Sequence, residues 1–293
     1  MHRPLASLSI LIAVLTLAPG CAGPAARSSA LSRSLTFHAP FDQSVDARLG
    51  QGDRQFQTGP QWGPPRETKP GLPPGGTVHL DPGAGRYGGA LRFERKITEV
   101  VGFRVAGNLD YRTQDWSGTL SYWLRTSPDA DLEPGYCDPL QITSKQWDDA
   151  AFFTEFTKDE VPREFRFGAY ADRAVWNPHG VKWETMPMSE KPLAPVVRPP
   201  FDRGRWTHVV FTWEHFNTGR PEGVARLYLD GEPRGVIGAR NQQFTWDPAQ
   251  AVLMLGLAYT GWMDDLACFN RALTPAEVQA LHRLPGGVSD LGR

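Results

Sequence analysis

The chain closes on Gly261-Trp-Met-Asp-Asp-Leu-Ala-Cys-Phe-Asn-Arg-Ala-Leu-Thr-Pro-Ala-Glu277, a strand running into a helix, and this run constrains everything before it. Thr274, Pro275 and Glu277 form a capping-box pattern with proline at the first helical position, so a helix starts there. Val278, Leu281 and Leu284 then repeat at a spacing that can lie on a sheet, and Pro285-Gly286-Gly287 ends the helix. In the strand ahead of it, Asp264, Leu266 and Cys268 share one face because side chains alternate. If that face is the core, Asp264 is an inward carboxylate that needs a partner.

A sheet to receive this ending is legible upstream. Leu91 and Phe93 share a face, as do Leu120, Tyr122 and Leu124, then Phe165 and Phe167, then Val209, Phe211 and Trp213, and finally Leu253, Leu255 and Leu257. Leu227 and Leu229 lead into Asp230-Gly231, a dipeptide suited to a tight hairpin because both residues tolerate positive φ. Many short strands, glycine-rich turns and one late helix predict an all-β, double-sheet antiparallel jelly roll with a short C-terminal helix. Two stretches break the rhythm: Gly50 to Gly85, dense in Gly and Pro around Trp62, and Asp172 to Asp202, with Trp176, Trp183 and six prolines from Pro178 to Pro200. Insertions of this length point to function.

Four segments carry a family resemblance: Gly85-Arg-Tyr-Gly-Gly-Ala-Leu-Arg-Phe93, Gly204-Arg-Trp-Thr-His-Val-Val210, Ala225-Arg-Leu-Tyr-Leu-Asp-Gly231 and the closing run. Their order resembles laminin G-like jelly rolls of the concanavalin A-like lectin and glucanase superfamily, from about Phe37 to Leu284. The resemblance implies a concanavalin A-like sandwich over 35–285, with 286–293 as a tail. Phe41-Asp42-Gln-Ser-Val-Asp46 resembles the first-strand segment of such domains, some of which hold structural calcium. Either calcium bound by Asp264 with Asp42, or Arg271 across the turn, would then partner the buried carboxylate.

Before the domain, Arg3, the apolar stretch Leu5 to Leu17 and Cys21 resemble a lipoprotein signal, with 1–20 removed and Cys21 lipidated; a plain secretory signal is the alternative. Residues 21–34, rich in Ala and Ser, read as a tether. The expected location is therefore a bacterial cell envelope, anchored in a membrane through Cys21, or secretion. In such a compartment Cys137 and Cys268 are either joined, which would contribute about 4 kcal/mol in the entropic model, or Cys268 is simply a small buried residue. A net charge of −1 without any basic block excludes a nucleic-acid footprint.

Function is read from the ten tryptophans. Sugar rings stack their C–H faces on aromatic rings while their hydroxyls require planar polar partners. Trp147, Trp176 with Asn177, and Trp183 offer that combination and are the candidate ligand-binding residues for a glycan or cell-surface polysaccharide. Catalytic patterns are absent: there is no His-Glu-x-x-His, no Gly-x-Ser-x-Gly, and no Glu-x-Asp-x-x-Glu of the related glucanases. Gln141-Ile142-Thr143 and Phe165 to Tyr170 are similar to strands of alginate lyases, but Thr143 stands where those carry histidine. The expectation is an exported binding module rather than an enzyme; the alternatives are a structural surface protein without a glycan ligand and a carbohydrate-active enzyme.

Overall fold

The computed structural model describes residues 24–292. Two antiparallel sheets pack face to face, as the strand rhythm predicts. In the eight-stranded sheet the order is Leu193–Val196, Phe165–Tyr170, Ala151–Phe156, Cys137–Thr143, Val252–Leu257, Val100–Arg104, Gln57–Gly59 and Lys69–Pro70. The nine-stranded sheet runs Glu232–Arg240, Gly223–Leu229, Thr207–Phe216, Trp116–Arg125, Gly261–Phe269, Leu35–Ala39 and Leu49–Gly50. There Ala90–Phe93 also pairs with Gly261–Phe269 and carries Val78–Asp81 on its other side. Asp230 and Gly231, at φ 53° and 81°, turn the hairpin expected of them.

Alternation decides which side chains meet between the sheets. Leu120, Tyr122 and Leu124 face Leu140, Ile142, Phe165 and Phe167 in one core that also takes Val209, Phe211 and Trp213. One strand departs from its predicted pattern. Gly256 adopts φ 69° with the Phe93 ring pressed against it, where a Cβ would come within 2.0 Å. The backbone reverses there, so Leu253 and Leu255 stay in the core while Leu257 joins Val100, Val252 and Met254 on the opposite face.

The outer face of the nine-stranded sheet is covered by the closing helix Pro275–His282. Its capping box is formed as predicted: Thr274 Oγ1 accepts from Glu277 N and Glu277 Oε2 accepts from Thr274 N. Val278 and Leu281 are buried on Val210, Tyr228 and Phe269. Two segments outside residues 35–285 also pack on this face. The described part of the tether is a helix, Pro24–Ser34, whose Leu31 is buried in the same cluster. The expected tail likewise buries Val288 and Leu291 there, because apolar side chains at both chain ends can seal a sheet face that one short helix leaves open. Both free cysteines are buried, Cys137 in one sheet and Cys268 in the other, and they are not joined.

Beneath that helix three rings cluster, Trp123 with His208 at 4.6 Å and His282 at 5.3 Å, and the two imidazoles 5.5 Å from each other. His208 Nε2 meets Ser121 Oγ at 2.8 Å, while its buried Nδ1 has no partner among the described residues. Burial, with His282 beside it, holds the His208 imidazole well below the ordinary 6.5. The unfolded chain takes up a proton near 6.5 that the folded one refuses, so this residue makes stability fall as pH drops below that value. Melting temperatures recorded from pH 8 to 5 should therefore decline more steeply for the wild type than for His208→Gln. Parallel curves would contradict a neutral His208.

Candidate functional site: an aromatic-walled groove

The outer face of the eight-stranded sheet holds a groove of about 510 Å³. Its floor comes from residues of adjacent strands: Asp138 and Gln141 from Cys137–Thr143, three apart and brought to one side by a slip in the ladder, Glu155 from Ala151–Phe156, Arg166 and Tyr170 from Phe165–Tyr170, and Leu257 turned outward at Gly256. Arg166 lies opposite Glu155 in the strand register and is bonded to its Oε1, a charge pair in which both side chains are nearly buried. Asp138 sits one strand further on, where the ladder slips between Thr154 and Phe156. Burial pushes its carboxyl well above the usual range, the nearby Glu155 adds to this, and Arg166 opposes it. Burial raises Glu155 also, against the pull of Arg166.

Both irregular insertions supply walls. Trp62, Gly63 and Arg66 come from the first, Trp183 and Glu184 from the second, and Trp147 from the hairpin loop between two floor strands. These loops are fastened to each other. Arg66 donates to the carbonyls of Trp62, Thr143 and Lys145, and its burial lowers its pKa to about 10. Lys145 Nζ reaches Asp172 Oδ1 at 2.6 Å, at the root of the second insertion. Tyr170 is the centre of the aromatic wall, with Trp176 stacked on it at 4.8 Å and Trp183 and Trp147 at 6.0 and 6.2 Å.

Of the predicted ligand-binding residues, Trp147 and Trp183 line the groove, whereas Trp176 and Asn177 do not. Trp176 lies behind Tyr170 and donates Nε1 to the Asp148 carbonyl, so it braces the wall. Asn177 is turned onto its own loop, accepting from Val181 N and donating to Val181 O. A neighbouring tryptophan and asparagine looked like a platform in sequence, but the short helix Arg173–Trp176 directs both into packing. Sequence reasoning missed Tyr136, Asp138, Glu155 and Arg166. The available signal was a lone charge inside an otherwise apolar strand, as Glu155 in Ala151–Phe156 and Arg166 in Phe165–Tyr170. Thr143 is fully buried and donates to the Asp149 carbonyl, and burial raises the Tyr170 phenol well above 10.

The candidate calcium residues lie at a different place. Asp42 Oδ1 accepts from Gly89 N and Asp264 Oδ2 from Tyr87 N, so both grip the loop of residues 85–89. Gly88 is needed there at φ 85°, with Asp42 against it. Arg271 is not the partner of Asp264; it pairs with Glu277 at 2.7 Å. Asp264 also does not share the inward face of Leu266 and Cys268, because the ladder slips between Asp264 and Ala267 and sets it opposite Trp123, under the closing helix; burial there pushes its carboxyl up to about 8, so it is largely neutral at pH 7, which lowers the cost of burying it. Calcium needs six to eight oxygens, and among the described residues no cluster of three or more His, Cys, Asp or Glu side chains could hold a metal. Cys21 lies outside the described residues.

Fold and sequence point the same way when set beside known proteins. Domain 4 of AbnA, a GH43 extracellular arabinanase from Geobacillus stearothermophilus in complex with arabinotriose, is similar at 16% identity and a TM-score of 0.53, over 85% of this chain and 98% of that one. The ligand binding domain of botulinum neurotoxin serotype D in complex with N-acetylneuraminic acid is similar at 8% identity and a TM-score of 0.54, over 87% of this chain and 52% of that one. The chain thus spans about half the length of the neurotoxin chain. At these identities the likeness is one of fold. Residues 104–279 match a laminin G family model described as Concanavalin A-like lectin/glucanases superfamily. With that match over more than half of its length and the two-sheet sandwich around it, the chain belongs to the concanavalin A-like lectin/glucanase superfamily.

Proposed function

We propose that this chain is a glycan-binding module whose ligand lies in the groove of the eight-stranded sheet, and that it is exported and held to a membrane by a lipid on Cys21. One observation carries the binding reading: the two most exposed aromatic side chains among the described residues, Trp147 at 55% and Tyr136 at 43%, line this same groove. Flat rings left open to water above a floor of carboxyl, amide and guanidinium groups suit the two sides of a sugar. The arabinotriose and N-acetylneuraminic acid bound by the structural relatives add support for a saccharide.

A glycan array followed by calorimetry on the soluble domain tests the proposal. Trp147→Ala should weaken the best ligand about tenfold, roughly 1.4 kcal/mol, with little change in melting temperature because the ring is exposed. Trp176→Ala, which removes a brace rather than a platform, should lower the melting temperature instead. Unchanged affinity in Trp147→Ala would place the ligand elsewhere.

A further inference from the structure

The groove floor has a particular inventory of free and committed groups. Its guanidinium groups are occupied. Arg166 is bonded to Glu155 and lies 5.2 Å from the centre of the Tyr136 ring. Arg66 spends Nε and both terminal nitrogens on backbone carbonyls. Lys158 stands beside Asp159 and the Tyr136 ring. No guanidinium fork is therefore open to take a ligand carboxylate or sulfate in the two-point fashion that recognises such groups. The Nε of Arg166 has no partner, but it is buried out of reach.

The free groups are of another kind. Asp138 and Gln141 both line the groove, and neither side chain forms a hydrogen bond among the described residues. Both stand on the Cys137–Thr143 strand, and Asp138 has Glu155 as its neighbour across the ladder slip. A carboxyl and an amide side by side offer acceptors and a donor, the set that vicinal hydroxyls complete. An acidic group on the ligand would instead be brought against two carboxyls.

We infer that the sugar residue seated on this floor is uncharged, that it presents vicinal hydroxyls to Asp138 and Gln141, and that uronic and sialic acids are refused there. This inference rests on glycan binding in the groove.

The test compares matched probes on the whole domain by calorimetry: arabinotriose, galactotriose against trigalacturonate, and lactose against 3′-sialyllactose. At least one neutral probe should bind, and each neutral member at least tenfold tighter than its acidic counterpart. Asp138→Asn, which keeps a donor and an acceptor without a charge, should bind the best neutral probe within threefold of wild type, while Asp138→Ala should lose at least tenfold. Melting temperatures of both variants separate lost contacts from lost folding, and Gln141→Ala gives a second reading of the same contacts. Acidic probes that bind as well as neutral ones, or Asp138→Asn falling tenfold while remaining folded, would overturn the neutral-sugar inference and leave groove binding standing. If none of the probes binds, the groove reading falls and the inference with it.

Discussion

Phe152→Ala is expected to cost about 3 to 5 kcal/mol of folding stability, as large-to-small changes at fully buried phenylalanines do. Phe152 projects from the eight-stranded sheet into the core, with Phe244 at 4.8 Å, Trp213 at 5.0 Å, Trp116 at 5.6 Å and Phe211 at 5.7 Å between ring centres. Trp213, Trp116 and Phe211 belong to the opposite sheet, so one ring joins the two layers. With so many aromatic neighbours the site cannot collapse to fill the space, and the cavity term adds to the lost transfer energy. Urea unfolding should show the loss in the midpoint with an unchanged slope. A change below about 1 kcal/mol would mean that the sheets are not joined here.

Asp265→Ala should cost a similar amount, about 3 to 5 kcal/mol, because it removes one member of a buried pair. Asp265 Oδ1 meets His38 Nε2 at 2.7 Å, and Oδ2 accepts from Val288 N at 3.0 Å. The single carboxylate thus ties the first strand and the closing segment to the strand Gly261–Phe269. Its neighbour behaves differently. Asp264→Asn exchanges a largely neutral acid for a neutral amide of the same shape, so thermal unfolding at pH 7 should change little. Equal losses in Asp264→Asn and Asp265→Ala would contradict the proton on Asp264.

Local signals in the sequence were reliable because their physics is local. The capping box at Thr274 and Glu277 depends on four consecutive residues, and the alternation of Leu120, Tyr122 and Leu124 on one strand, so both appear as read. Leu257 went wrong because a single glycine, Gly256, reverses the face that a period of two would assign. The helix Pro24–Ser34 and the buried Val288 escaped for a different reason. Their apolar residues are sparse, and only the open sheet face gives them something to cover.

The groove was half legible. Long insertions marked the regions that hold Trp62 and Trp183, but exposure is a property of the assembled loops, and it separates Trp147 from Trp176. The floor is not legible strand by strand, because its paired carboxyls stand on different strands. Asp138 and Glu155 meet only across two strands whose register slips between them. A one-residue change in that pairing would send one of them to the other face.

The most direct measurement is a crystal structure of the soluble domain soaked with the best oligosaccharide from the array. Density for a sugar ring on the floor beside Asp138 and Gln141, in contact with Trp147 or Tyr136, is the expected result. Ordered sugar at the loop of residues 85–89 or on the Pro275–His282 face, with the groove filled only by water, would contradict glycan binding in the groove.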